Sequence, residues 1–365
     1  MNDVTKQIQK GGDNSQQIQA GTVIIGIDEK RAREIYREMF EISRRDFSQE
    51  TYQIATKRVS QFEEKLIPKM QKIVGALNNF ADPSFQLLLS KAHKTAASTE
   101  REVDYELLSE LLIHHVKTPH ERKIKASINK AVEIIDQIDD DALCALTVTH
   151  GALSLSPKDK NIINGLQVLD NLFGKLIYDD LPITNDWIDH LEILGAVRIS
   201  SVLSGVDIIS RYAKYFSVDS YTGIKKESQN YQKAIELLSL NNLPIDFLQN
   251  NELNDDYVRL PALTDKDVDT LMWVINPFTP NQIEMTPTAE QIAVFHQIWD
   301  MYDNSSEIKN MANNNFKNLF NNYKNLAKLN DWWKSIRHNF SITAVGKVLA
   351  HANAQRLDSA IPPLE

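Results

Sequence analysis

A chain of 365 residues, 42% of them hydrophobic, exceeds the roughly 250 to 300 residues that one hydrophobic core ordinarily serves, so two helical regions are expected. Its formal charge of -9 excludes a broadly basic surface for nucleic-acid phosphates or anionic lipid, leaving at most a local basic patch. Cys144 is the single cysteine, which excludes an intramolecular disulfide and a zinc-ribbon spacing. The opening Met1-Asn2-Asp3-Val4-Thr5-Lys6 is no secretory leader, and no apolar run approaches the roughly 20 residues of a membrane span, so the expected compartment is the reducing cytoplasm.

The first 27 residues differ from everything after them. The words Gln7-Ile8-Gln9 and Gln17-Ile18-Gln19 flank Gly11-Gly12-Asp13-Asn14-Ser15, a stretch of turn chemistry between alternating arms, which reads as a β-hairpin. Thr22-Val23-Ile24-Ile25 supplies a third β-prone run. A lone hairpin is marginal in water, so Ile8, Ile18, Val23 and Ile25 are expected to pair with the protein body, a partner or other copies of the chain. Oligomerisation through this segment is the favoured outcome.

Helical periodicity then takes over. Asp28 is placed as an N-cap, with Ala32, Ile35, Met39 and Ile42 on one face. Ser48 restarts the pattern, and Ala55, Val59, Phe62, Leu66, Met70, Ile73 and Leu77 form one apolar stripe, with Pro68 expected to bend it. Asp82-Pro83 and Asp104 open further helices, as do Thr118-Pro119, Asp139 to Asp141 and Ser156-Pro157. A boundary near Leu181-Pro182 gives three regions: a hairpin over 1–27, a helical domain over 28–181, and a mostly helical domain over 182–365. In the last, Trp187, Leu191 and Leu194 share a face ending at Gly195. A brief strand is expected at Val197-Arg198-Ile199, a helix through Tyr231, Ala234, Leu237 and Leu238, and a loop from Asn276 to Pro287. Helices then cover Ile292 to Met301 and Ser305 to about Leu329, and a strand at Phe340-Ser341-Ile342 leads into a helix from Thr343. The fold expected is mainly α: a multi-helix bundle or stacked helical pairs in two regions.

No chemistry-bearing motif stands out. His114, His115 and His120, with Cys144 and His150, lack the i, i+4 spacing of a helical zinc site, and the alternative is that the two adjacent histidines straddle a helix edge while Cys144 is core. Asp139-Asp140-Asp141 and Asp179-Asp180 could bind a divalent cation, but acidic residues at helix starts serve the dipole and free amides. There is no Gly-x-Ser-x-Gly elbow, P-loop or dinucleotide fingerprint. No metal and no cofactor are expected. The segment Lys309 to His338 interleaves Lys317, Lys324, Lys328, Lys334 and Arg337 with Phe316, Phe320, Tyr323, Trp332 and Trp333, the composition of a nucleic-acid contact. Phe316, Leu319, Tyr323 and Leu326 also share one helical stripe, which makes them core with the lysines on a solvated face.

Gly12-Asp13-Asn14-Ser15-Gln16-Gln17-Ile18-Gln19-Ala20, Ile27 to Ile35, Phe80 to Gln86 and Asp104 to Leu112 resemble the N-terminal half of a family of bacterial helical proteins that carries no activity to transfer. The closing Phe340-Ser341-Ile342-Thr343-Ala344-Val345-Gly346-Lys347 resembles the strand, Thr-x-x-Gly and helix that end winged-helix-like modules of abortive-infection-type bacterial proteins. That resemblance implies that Thr343 caps the last helix and that Gly346 packs tightly on the strand. The function expected is a non-catalytic, self-associating interaction protein in antiphage defence, and the alternatives are a nucleic-acid-binding regulator or an effector enzyme such as a nuclease.

Overall fold

The computed structural model describes residues 26–42, 47–118, 121–201, 205–275 and 283–364. Ile8, Ile18, Val23 and Ile25, with the whole Gln-Ile-Gln hairpin, lie outside them, as do His120 and residues 276–282 of the expected Asn276–Pro287 loop, whose described part holds a strand at Ile283–Met285 instead. The architecture is mainly α, and its contacts divide it into two compact units, Met1–Lys125 and Ala126–Glu365. The Leu181-Pro182 step falls inside the second.

The first unit holds α1 (Glu29–Ile42), α2 (Gln49–Gln71), α3 (Pro83–Ser98) and α4 (Glu102–Lys117), and α5 (Arg122–Ile134) begins at its edge. Ala55, Val59, Phe62, Leu66 and Met70 of α2 are buried, the stripe of a helix packed on α3 and α4. α2 runs on through Pro68, near its C-terminal end. On α1 the buried face is Ala32, Ile35, Tyr36 and Phe40, whereas Ile42 is 68% exposed. The expected face through Met39 and Ile42 is therefore rotated, because Tyr36 donates to the Val59 carbonyl at 2.9 Å and the two aromatic rings must follow it inward. Asp82 accepts from the Phe85 amide and Pro83 starts α3, as their order implies. His114 and His115 are 5% and 2% exposed, so both are core residues of α4 rather than straddling a helix edge.

The second unit is organised around α6 (Asp140–Ser154), whose residues Ala142 to Ala152 are all buried. A helix buried on every side needs neighbours all round, and α7 (Ile162–Leu176), α8 (Asp186–Ile193) and the last helix supply them. Ser156-Pro157 starts no helix: α7 is capped five residues later by Asn161, which accepts from the Asn164 amide. After α8 come β1 (Val197–Ile199), α9 (Ile208–Tyr215), β2 (Ile224–Lys225), α10 (Gln229–Leu240), β3 (Gln249–Asn251) and β4 (Asn254–Arg259). Then follow α11 (Asp265–Val268), β5 (Trp273–Ile275), β6 (Ile283–Met285), α12 (Ala289–Trp299), α13 (Ser306–Asn322), α14 (Lys324–Ser335), β7 (Phe340–Ile342) and α15 (Ala344–Leu357).

β2, β4 and β3 form a three-stranded sheet in the order β2-β4-β3, and β5 pairs with β6. Ile224, Leu238, Val258 and Phe295 join one apolar cluster on α10, α12 and that sheet. The single helix expected from Ser305 to Leu329 is two helices, broken at Tyr323, whose ψ of 124 is extended. Asp170 of α7 makes the break tolerable by accepting from the Asn325 and Leu326 amides at 2.7 and 3.2 Å, which are free donors at a new helix start. The strand at Val197-Arg198-Ile199 pairs antiparallel with the strand at Phe340-Ser341-Ile342, Val197 opposite Ile342. Thr343 caps α15 by accepting from the Gly346 amide. A Cβ on Gly346 would stand 2.0 Å from the Ala196 carbonyl oxygen, so only glycine lets α15 approach β1 this closely.

Candidate ligand-binding cleft

The C-terminal turn of α6, the strand β7 and the first turns of α15 surround a cleft of about 390 Å³. Its apolar walls are Leu153, Val206, Trp333, Phe340 and Ile342, and its polar groups are Thr149, His150, Ser154, His338, Ser341 and Lys347. An apolar body with a few convergent polar groups is the usual form of a small-molecule site.

Each polar group has a structural reason for its place. α6 and α15 pack closely, and Asn353 of α15 donates to the Thr147 hydroxyl at 2.8 Å. That registers His351 opposite His150, with His150 Nε2 and His351 Nδ1 3.2 Å apart. The outer nitrogen of His351 lies 2.8 Å from the Pro362 carbonyl, which can only accept, so Nε2 carries the proton and Nδ1 accepts. His150 therefore donates through Nε2, and its Nδ1 accepts from the Ser154 hydroxyl at 3.3 Å. Ser154, His150, His351 and Pro362 thus form one directed series in which every donor points inward from the cleft.

Both imidazoles are neutral. Burial pushes His150 down to about 4, helped by His351 and the Lys347 ammonium, and it also lowers His351, against the opposing effect of the Pro362 bond. Lys347 is exposed and is the cation of the cleft. Thr149 is 1% exposed, and its hydroxyl has no hydrogen-bond partner among the described residues. On the opposite wall His338 Nε2 donates to the Trp333 carbonyl at 2.8 Å, and Trp333 Nε1 donates to the Val206 carbonyl at 2.8 Å. Both rings are fixed before any ligand arrives.

The residues that the sequence singled out lie elsewhere. Lys317, Lys324, Lys328 and Lys334 are exposed along α13 and α14, and Arg337 is half-buried and paired with Asp189. Of the aromatics interleaved with them, Phe316, Phe320, Trp332 and Trp333 are buried and Tyr323 is half-buried, and Trp332 donates to the Pro182 carbonyl at 3.1 Å. Asp139 to Asp141 and Asp179-Asp180 are exposed; Asp140 and Asp141 occupy the first turn of α6. Among the described residues no group of three or more His, Cys, Asp or Glu could hold a metal ion. Cys144 is fully buried, donates to the Leu176 carbonyl and is raised to about 11 by burial. Among the described residues no helix is long and apolar enough to cross a membrane.

His150, His351 and Ser154 do not stand out in the sequence as a working set because 201 residues separate the histidines. The one local trace is the i, i+4 spacing of His150 and Ser154, which puts both on one helix face.

A protein-family model described only as a "-like" family matches residues 26–361. No curated protein and no solved structure matches the chain.

Proposed function

Because the chain belongs to that family over residues 26–361, whose description assigns no activity, we propose from the site alone that it is a non-catalytic interaction protein of the cytoplasm whose second unit binds a small ligand with an apolar body and an anionic head. The observation that carries the reading is Thr149, which lines the cleft together with the cation Lys347 and whose buried hydroxyl has no hydrogen-bond partner among the described residues. Leaving such a group unsatisfied costs about 1–3 kcal/mol, which a ligand acceptor would relieve, while Lys347 pairs with the anion and Trp333 and Phe340 sandwich the body. Thermal shift against aryl carboxylates and nucleoside monophosphates tests it. The native protein should be stabilised by one of these classes, and Thr149→Val and Lys347→Glu should each abolish the shift. No stabilisation across both classes, or an undiminished shift in both variants, overturns the reading.

Self-association through 1–27 and a role in antiphage defence belong to the same proposal, supported by the hairpin argument and by the resemblance of the chain's end. Removing residues 1–21 should lower the mass seen by light scattering, and an unchanged mass would end the assembly part of the proposal. Loss of phage protection on truncation would link the two.

The series Ser154–His150–His351 favours a second reading, an acyl-transfer enzyme with Ser154 as nucleophile. Against it, an imidazole held near pH 4 takes up a serine proton poorly, and its supporting ring faces a carbonyl rather than a carboxylate. Covalent labelling of Ser154 by a fluorophosphonate, lost in Ser154→Ala, would establish the enzyme.

A further inference from the structure

Arg259 closes β4 and is 4% exposed. A guanidinium taken so far from water ordinarily has a carboxylate partner, yet among the described residues no carboxylate lies within 4.0 Å of it. One Nη2 hydrogen bond goes to the Ala262 carbonyl, Cζ lies 4.1 Å from the Tyr221 ring centroid, and Nε has no partner among the described residues. Tyr221 is itself buried, at 3% exposed. The ring contact and the carbonyl hold the guanidinium, and neither supplies a negative charge.

Arg259 lines a cavity of about 240 Å³ with Lys160 and Asn161, at the start of α7. Two carboxylates also face this space. Asp159 is already engaged, accepting from the Asn161 amide at 2.8 Å and Asn164 Nδ2 at 3.0 Å, which also holds its carboxyl below the usual range. Glu252 is exposed at the rim. The cavity shares no lining residue with the α6–β7–α15 cleft.

We propose that this cavity is a second binding site, for the phosphate or carboxylate head group of a small metabolite. The oxyanion takes the free edge of Arg259, where Nε waits for an acceptor, and Lys160 closes on it from the rim. Arginine suits the task because its fork presents parallel donors to an oxyanion, and the Tyr221 ring contact and the Ala262 carbonyl hold that fork. The cavity is too small for a polymer, so the ligand is a free small molecule.

Isothermal titration of the full chain with inorganic phosphate and with acetate, each against chloride at matched ionic strength, tests the site. Saturable binding of one or both oxyanions is expected, and the tighter of the two identifies the head group. Arg259→Gln, which keeps most of the packing and removes the charge, should abolish binding. If that variant does not fold, the exposed Lys160→Ala should still weaken binding three- to tenfold. Glu252→Gln should tighten binding or leave it unchanged. No oxyanion binding above the chloride control, or undiminished binding in Arg259→Gln and Lys160→Ala, overturns the proposal. It is likewise overturned if Glu252→Gln lowers the melting temperature while neither oxyanion binds, since Glu252 is then the counter-ion. Thr149→Val and Lys347→Glu leave this binding intact, so its outcome is independent of the cleft.

Discussion

His150 donates through Nε2 to Nδ1 of His351 across 3.2 Å, a direction imposed from the far end by the Pro362 carbonyl at 2.8 Å. His351→Phe keeps a ring of similar size but removes the acceptor, leaving the His150 N–H buried and unmet. That should cost about 1–3 kcal/mol in urea denaturation. Ser154→Ala, at the exposed end of the series, should cost well under about 1 kcal/mol because the freed His150 nitrogen can be met by water. Equal costs for the two variants would show that the series is incidental packing.

His93 sets a pH dependence in the first unit. It is fully buried with neither ring nitrogen bonded among the described residues, in ring contact with Tyr36, Phe40 and Phe62, and desolvation lowers it from 6.5 to about 3. The folded value lies below the unfolded one, so the unfolded chain binds the extra proton between the two. The stability is fully present above pH 6.5 and is lost as pH falls toward 3, by about 1.4 kcal/mol per pH unit. Urea midpoints should fall steeply from about pH 6 to about pH 4, and His93→Phe should flatten the slope. An unchanged slope would assign the acid sensitivity to other groups, His115 and His150 among them.

Two glycines near the β1–β7 pair separate strain from contact. Gly195 has φ +74, and a Cβ added there would meet nothing within 4 Å, whereas a Cβ at Gly346 would stand 2.0 Å from the Ala196 oxygen. Gly195→Ala should therefore cost only the left-handed backbone penalty of about 1–2 kcal/mol. Gly346→Ala must also push α15 off β1, so it should disturb the His150–His351 register and the cleft as well as cost about 1–3 kcal/mol. Chemical shifts of the two histidine rings, perturbed by the second variant and not the first, would distinguish them.

What the sequence made legible was local. The Asp82-Pro83 start and the α2 stripe from Ala55 to Met70 each depend on residues within a turn or two, where capping and periodicity act directly. The Thr343 cap and the tight packing at Gly346 were instead implied by the resemblance of the chain's end, and Gly346 packs against the distant Ala196. The partner of the Phe340–Ile342 strand was not legible, because Thr343 and its contact at Gly195 are 148 residues apart. Strands β3 and β4 escaped notice since Gln249–Asn251 and Asn254–Arg259 are mostly polar and Asn-rich, poor strand formers held by the apolar cluster under Ile224 and Val258. The cleft was hidden for the same reason as the strand pair: its donors and acceptors are assembled by packing between distant helices.

The break at Tyr323 gives the sharpest test of that long-range support. Neither flanking helix supplies it: Tyr323 makes no side-chain cap for α14, and the apolar stripe runs through the break. Asp170 provides the side-chain acceptor, meeting the Asn325 amide at 2.7 Å, the Leu326 amide at 3.2 Å and Asn325 Nδ2 at 3.2 Å. Asp170→Ala removes a cap supplied from another helix and should cost about 0.5–2 kcal/mol. Asp170→Asn keeps one oxygen for both amides but turns its own N–H toward the Asn325 amide group, so it should recover only part of the loss. Adding Asn325→Ala to Asp170→Asn relieves that clash, so the double variant should cost less than the sum of the two single variants. If the two substitutions add without coupling, the Asp170 contact with Asn325's side chain carries no weight and the helix break is set by the backbone amides alone.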